Sequence, residues 1–354
     1  MIRGRKTATP DSSRREALFQ TSRTTQEGGA SKVWNGPAKT YYDLPLVKKA
    51  HWSWQIVLYF FLGGIAGGSY LISTLADLLR FEKHGVLTRA GRYLSFVCIL
   101  ASPVLLILDL GRPLRFHHML RVLKFRSVMS LGTWGLTAFG LCSGLTTAYQ
   151  AASDGLLNWF PLLARWMKAV PIKLVEVLGS LLGLFVASYT GVLLSSTAVP
   201  VWARARRLLG PLFLSSALST ALASLSCLLS FGRNNQPLVE KLERAEMVSM
   251  SMELGLISAL PRLLGSLGKP LFRGRTGILF KAGTIGAGLA FPLLARIIGK
   301  LGGKSTPRTV NIVLSLLVLA GGMILRYVWI VAGRLSAHDP EAVHTYNALE
   351  GKKR

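Results

Sequence analysis

The chain has 354 residues, half of them hydrophobic and only 16% charged, and its mean hydropathy is +0.40. A soluble domain carries about 25% charged residues, and here the apolar residues gather into long runs. Together these features exclude a single soluble domain, a disordered chain and a disulfide scaffold. The net charge of +26 comes from 42 Lys and Arg against 16 Asp and Glu. The basic residues sit between the apolar runs, where they flank bilayer spans and set orientation rather than mark a nucleic-acid surface.

Residues 1–50 read as a polar, basic N-terminal tail and interfacial segment, without apolar periodicity and without the apolar stretch of a signal peptide. Tyr41, Tyr42, Trp52 and Trp54 are expected at the membrane interface as an aromatic belt. Eight spans follow, each near the roughly 20 residues that a bilayer core requires. They are expected at residues 53–75, 92–109, 128–149, 174–199, 208–231, 246–266, 276–299 and 309–333. The sixth carries Glu253 and Pro261, and the seventh Lys281 and Arg296. The run GGIAGG at Gly63–Gly68 in the first span supplies small residues that let helix backbones approach or leave room for a flat ligand. An even number of spans puts both termini on one side. That side carries most of the Lys and Arg, so both termini are expected in the cytoplasm.

Histidines and cysteines exclude several cofactors. A membrane haem needs axial ligands projecting from helices into a bundle. The six histidines, His51, His84, His117, His118, His338 and His344, all lie away from the middle of a span. The three cysteines, Cys98, Cys142 and Cys227, cannot hold an iron–sulfur cluster, which takes about four thiolates. The protein is therefore expected to carry no haem, no iron–sulfur cluster and no metal.

Ionisable groups at membrane depth are costly and are functional candidates by default. Asp109 ends the second span in LILDLGRPLRFHH, with Arg112 three residues on and Pro113 stopping the helix. The pair reads either as a helix-terminating ion pair or as a site where a carboxylate accepts a proton from a quinol hydroxyl. His51, Trp54, Gln55 and Tyr59 at the start of the first span share the membrane face of Asp109 and Arg112, because odd spans begin where even spans end. A histidine at the interface can relay protons, since its ordinary pKa is about 6.5. Tyr189, deep in the fourth span, needs a hydrogen-bond partner: either a neighbouring helix or a quinone carbonyl. Glu176 starts the fourth span on the opposite face. Glu253 and Arg326 are central to the sixth and eighth spans and read as a structural pair or as part of a proton path.

The runs WSWQIVLYFFLGGIAGGSYLI, LILDLGRPLRFHHMLRV, MSLGTWGL and SYTGVLLSSTAVPVW together resemble the NrfD/polysulfide-reductase membrane-subunit family over about residues 50–335. The resemblance implies an all-α integral membrane fold of eight transmembrane helices in two four-helix bundles. The first, at 51–202, would hold the quinone site; the second would span 203–335, followed by a C-terminal tail at 336–354. It implies a quinone-binding membrane anchor of a multisubunit oxidoreductase in the bacterial inner membrane, with menaquinone or ubiquinone as exchangeable substrate. Electrons would pass to or from an attached iron–sulfur (ferredoxin-like) subunit, joined to a molybdopterin oxidoreductase or a multihaem cytochrome. Asp109 and Arg112 match the family's loop after the second span and Tyr189 its tyrosine in the fourth, while His51 and Gln55 both compete for the polar role in the first. Related alternative complex III assemblies add proton movement. A polytopic transporter, with Glu253 and Arg326 on a substrate path, is the competing reading; no internal repeat of the transporter kind is evident.

Overall fold

The computed structural model describes residues 52–351 apart from 81–83, 157, 159–160, 233–234 and 304–305. The N-terminal tail, with Tyr41, Tyr42 and His51, lies outside the described residues. Eight helices are long and apolar enough to cross a membrane, and no strand occurs among the described residues. They are α1 (Trp54–Leu79), α2 (His84–Asp109), α3 (Val128–Ser153), α4 (Ile172–Ser195), α5 (Arg206–Ser230), α6 (Gln236–Leu264), α7 (Gly274–Leu301) and α8 (Arg308–Ala337). A final helix, α9 (Pro340–Gly351), follows.

α1 is the packing centre and touches α2, α4, α5 and α8. α3 packs on α2 and α4; α5 packs on α4, α6 and α8; α7 lies along α8. In lipid, apolar burial offers no net drive for helices to associate, so close backbone approach has to supply dispersion contacts instead. The glycines of α1 make that approach possible. Gly67 lies against the backbone of Gly183 in α4, and Gly68 against Ala217 and Ala221 of α5. A Cβ at Gly67 would overlap the Gly183 carbonyl.

Several element limits differ from the sequence expectation, each for a physical reason. α2 starts at His84 rather than 92 because Arg92 is only 5% exposed, with its guanidinium neutralised by Glu176 of α4 and bonded to Gln150 of α3. α6 starts at Gln236 rather than 246 because Leu238, Val239 and Leu242 bury an apolar face and Glu243 and Glu246 find partners inside. α7 is not uniformly α-helical: Leu279–Ala290 is a π-helix, and Gly288 within it packs on Gly321 of α8. Trp52 stacks on Trp202 with ring centroids 5.0 Å apart. The Trp202 indole N–H donates to the Trp329 carbonyl at 2.8 Å.

Candidate functional site

The start of α1 presents two flanks, because residues four apart on a helix lie on one side. Trp54 and Leu58 point one way and Gln55 and Tyr59 another. The first flank faces a cleft of about 370 Å³. Its walls are Trp54, Val57 and Leu58 of α1, Leu279 of α7, and Met323, Ile324 and Tyr327 of α8. Trp54, Leu279 and Tyr327 are exposed on the helical surface, so the cleft opens sideways toward lipid. Two residues next to these walls are polar: Ser53 precedes Trp54, and Arg334 lies two helical turns after Tyr327 on the same face of α8. The half-buried Asp109 carboxylate, at the end of α2, accepts a hydrogen bond from Ser53 Oγ. Arg334 of α8 lies within electrostatic reach of both Asp109 and Tyr327. Its Nε is buried and has no hydrogen-bond partner among the described residues.

On the second flank Tyr59 is buried and sits within electrostatic reach of Tyr189. The Tyr189 hydroxyl donates to the Val128 carbonyl at the start of α3 at 2.6 Å, and its ring occupies the space left by Gly132. Gln55 Oε1 is buried without a hydrogen-bond partner among the described residues. The residues expected around a quinone therefore fall in two groups on either side of α1. Trp54 and Asp109 lie toward α8; Gln55, Tyr59 and Tyr189 lie within α1, α3 and α4. Arg112 belongs to neither, because its side chain is exposed in the loop after α2. His117 and His118 are exposed in the same connection, and their rings are 4.4 Å apart.

Glu253 and Arg326 are both 1% exposed and are joined through serines of α5 rather than by direct contact. Ser219 donates to Glu253 at 2.9 Å, and Ser216 lies against the same carboxylate. The Arg326 guanidinium bonds to Ser216 at 3.1 Å, to the Gly322 carbonyl at 2.6 Å and to the Phe60 carbonyl of α1 at 3.2 Å. The rings of Phe61 and Phe213 flank it at 5.6 and 5.8 Å. A second buried group was not singled out from the sequence. Glu246, one heptad before Glu253, forms an ion pair with Arg296 of α7, and both side chains are fully buried. Arg296 reaches Asn311 and Ser315 of α8, and Asn311 donates to Ser226 and Ser230 of α5. Thr306 donates to Glu243 at 3.2 Å. Seven residues place Glu246 and Glu253 on one helix face about 10 Å apart along the axis. That spacing was the signal available in the sequence.

The opposite end of the first four helices carries an ion network. Asp77 and Glu176 share Arg92 and Lys173. Arg89 pairs with Asp154 at 2.7 Å, and Tyr93 donates to the same carboxylate at 2.8 Å. Burial pushes the Asp154 carboxyl up, but hydrogen bonds from Tyr93, Gln150 and Arg89 outweigh it and hold the group below the ordinary carboxylate value. Among the described residues no three His, Cys, Asp or Glu side chains converge as a metal site.

Comparison with known proteins follows the same lines. The family described as "Polysulphide reductase, NrfD" matches residues 45–337. One chain of the polysulfide reductase of Wolinella succinogenes is 29% identical over 304 residues, which make up 80% of the present sequence and 94% of that protein. The NrfD homolog of Haemophilus influenzae is 27% identical over 307 residues, 80% of the present sequence and 95% of its own length. One subunit of the selenate reductase of Mesobacillus selenatarsenatis is 27% identical over 89 residues, 25% of the present sequence and 20% of that protein. With eight spanning helices, and with the family matched across nearly all of the described residues, the chain is a multi-pass membrane protein that belongs to the polysulphide reductase NrfD family.

Proposed function

We propose that the protein is the quinone-binding membrane subunit of a multisubunit oxidoreductase of the bacterial inner membrane. It exchanges electrons between menaquinone or ubiquinone and an attached iron–sulfur subunit. The observation that carries this reading is the half-buried Asp109, a protonatable group bonded to Ser53, the residue next to the Trp54 wall of a cleft open to lipid. A quinol is lipid-soluble, loses two protons on oxidation and needs a base at the place where it leaves the bilayer. Asp109 has that position, and Ser53 orients its carboxylate. Gln55, Tyr59 and Tyr189 line the neighbouring interior, within the first four helices at 51–202. His51, one residue before the described segment, is assigned the proton relay. Arg112, exposed in the loop, is assigned to contact with the partner subunit or to the mouth of the site. Two of the relatives are named as parts of a polysulfide reductase and of a selenate reductase, which supports a reductase partner; a molybdopterin or multihaem subunit is assigned that place. The Lys and Arg excess supports cytoplasmic termini. Glu253 and Arg326, in the second set of helices at 203–335, are assigned to a proton path through their serine links.

The test is Asp109→Asn in the complex purified from its own membranes. A general base contributes about 10²–10⁴-fold, so quinol-dependent turnover should fall by at least about 100-fold with the complex still assembled. Unchanged turnover would overturn the role of Asp109.

A further inference from the structure

The family reading places a quinone among the first four helices, yet the cleft whose wall Trp54 follows Ser53, the partner of Asp109, is walled by α1, α7 and α8. We infer that this cleft is a binding site for the prenyl tail of a quinone, which enters sideways from the bilayer and presents its ring to Arg334 and Asp109. The inference rests on the quinone reading above and adds a site, two residues and a route to it.

Three observations carry it. First, the walls are apolar and lipid-open, with Leu58, Leu279 and Met323 set between Trp54 and Tyr327. A flexible branched hydrocarbon is the chemistry that such walls accept. Second, the end of α8 past the Tyr327 wall carries an unsatisfied donor. Arg334 Nε is a buried donor with no hydrogen-bond partner among the described residues, a state that costs free energy unless a ligand acceptor completes it. Third, the charges at that end choose among amphiphiles. Arg334 and Asp109 lie within electrostatic reach of each other, and Ser53 already serves the carboxylate. A phospholipid phosphate would gain Arg334 but meet the like charge of Asp109. A quinone ring is neutral: its carbonyl accepts from Arg334, and in the quinol form its hydroxyl donates to Asp109. Tyr327, a wall of the cleft and exposed on α8, carries a hydroxyl that offers a further donor. Arg334 and Tyr327 are thus assigned as positioning residues for the ring, reached along a path that runs outside the first four helices.

The experiment uses a prenylquinone with a photoactivatable azide at the end of its tail, applied to membranes that contain the intact complex. Labelled peptides are then mapped by mass spectrometry. The expected label falls on the segments around Trp54–Leu58 and Met323–Tyr327, and excess unlabelled prenylquinone removes it while excess phospholipid does not. Leu279→Trp fills the cleft from its exposed rim and should reduce that label at least tenfold. Label removed equally by phospholipid would make the cleft an annular lipid groove and overturn the inference. Label confined to α2–α4 would also overturn it while leaving the quinone reading intact. An absence of saturable label anywhere on the protein would overturn both.

Discussion

Arg296 offers a direct test of how the second set of helices is held. Its guanidinium is paired with Glu246 in a site from which both side chains are fully excluded from solvent. Arg296→Met keeps an unbranched apolar stem and removes the charged guanidinium, leaving the Glu246 carboxylate without its counter-ion. Breaking a buried pair from one side costs about 3–5 kcal/mol. Losing the hydrogen bonds to Asn311 and Ser315 adds about 1 kcal/mol. At roughly 2–4 °C per kcal/mol for a large domain, the midpoint of thermal unfolding should drop by about 8–24 °C. The double variant Arg296→Met/Glu246→Met removes both charges and should recover most of the loss, since apolar replacement of a whole buried pair is often neutral. In a background with Cys142→Ser and Cys227→Ser, Cys98, 6% exposed inside α2, supplies the reporter. A thiol-reactive dye that fluoresces on coupling follows its exposure on heating in detergent. A single variant within about 2 °C of the parent, or a double variant no better than the single, would refute the assignment of this pair as a mutually neutralised unit.

Other contacts lead to further expected outcomes. Gly67→Ala should destabilise by about 1–3 kcal/mol, because its Cβ meets the Gly183 carbonyl. Gly85→Ala, with open space around its Cβ, should be neutral or slightly stabilising, and the same dye assay compares the two. Tyr189→Phe loses the bond to the Val128 carbonyl and should cost about 1 kcal/mol in that assay; a rise in KM for quinol beyond this would mark direct contact with the ring. Glu253→Gln should leave quinol oxidation running while proton movement into proteoliposomes falls, read with an entrapped pH dye. The folded Asp154 carboxyl sits below its ordinary value, so the stability it supplies is complete above the unfolded pKa of about 3.9 and is lost as pH falls through the folded value. Hydrogen exchange at the start of α2 should therefore accelerate only below about pH 4.

The eight spans were legible because a bilayer demands about 20 consecutive apolar residues, a requirement written locally in each run. The starts of α2 and α6 were not, because Arg92, Glu243 and Glu246 look like loop charges until their partners are known. Glu176 lies 84 residues from Arg92, and no local pattern announces such a pair. The candidate site shows the same division. Asp109 stood out as a carboxylate at the end of an apolar run. Arg334 looks like an ordinary flanking charge after the last span, and its nearness to Asp109 exists only once α8 folds back beside α1. The separation of Trp54 from Gln55 across two flanks of α1 follows from helix geometry, but which neighbour each flank meets does not.

The central place of α1 has a consequence for how the molecule is made. α1 leaves the ribosome before the other seven spans described above, yet Arg326, which bonds to the Phe60 carbonyl, is 266 residues further along the sequence. Until α4, α5 and α8 have been inserted, the small-residue face from Gly63 to Gly68 has nothing but lipid against it. Segments whose contacts lie far ahead in the sequence close late, after much loop-closure entropy has been spent. The first helix in order of synthesis is therefore among the last to reach its final packing. A nascent polypeptide halted after α4 would hold α1 in place on one side only, and the insertion machinery or a chaperone has to shield the other side until α8 arrives.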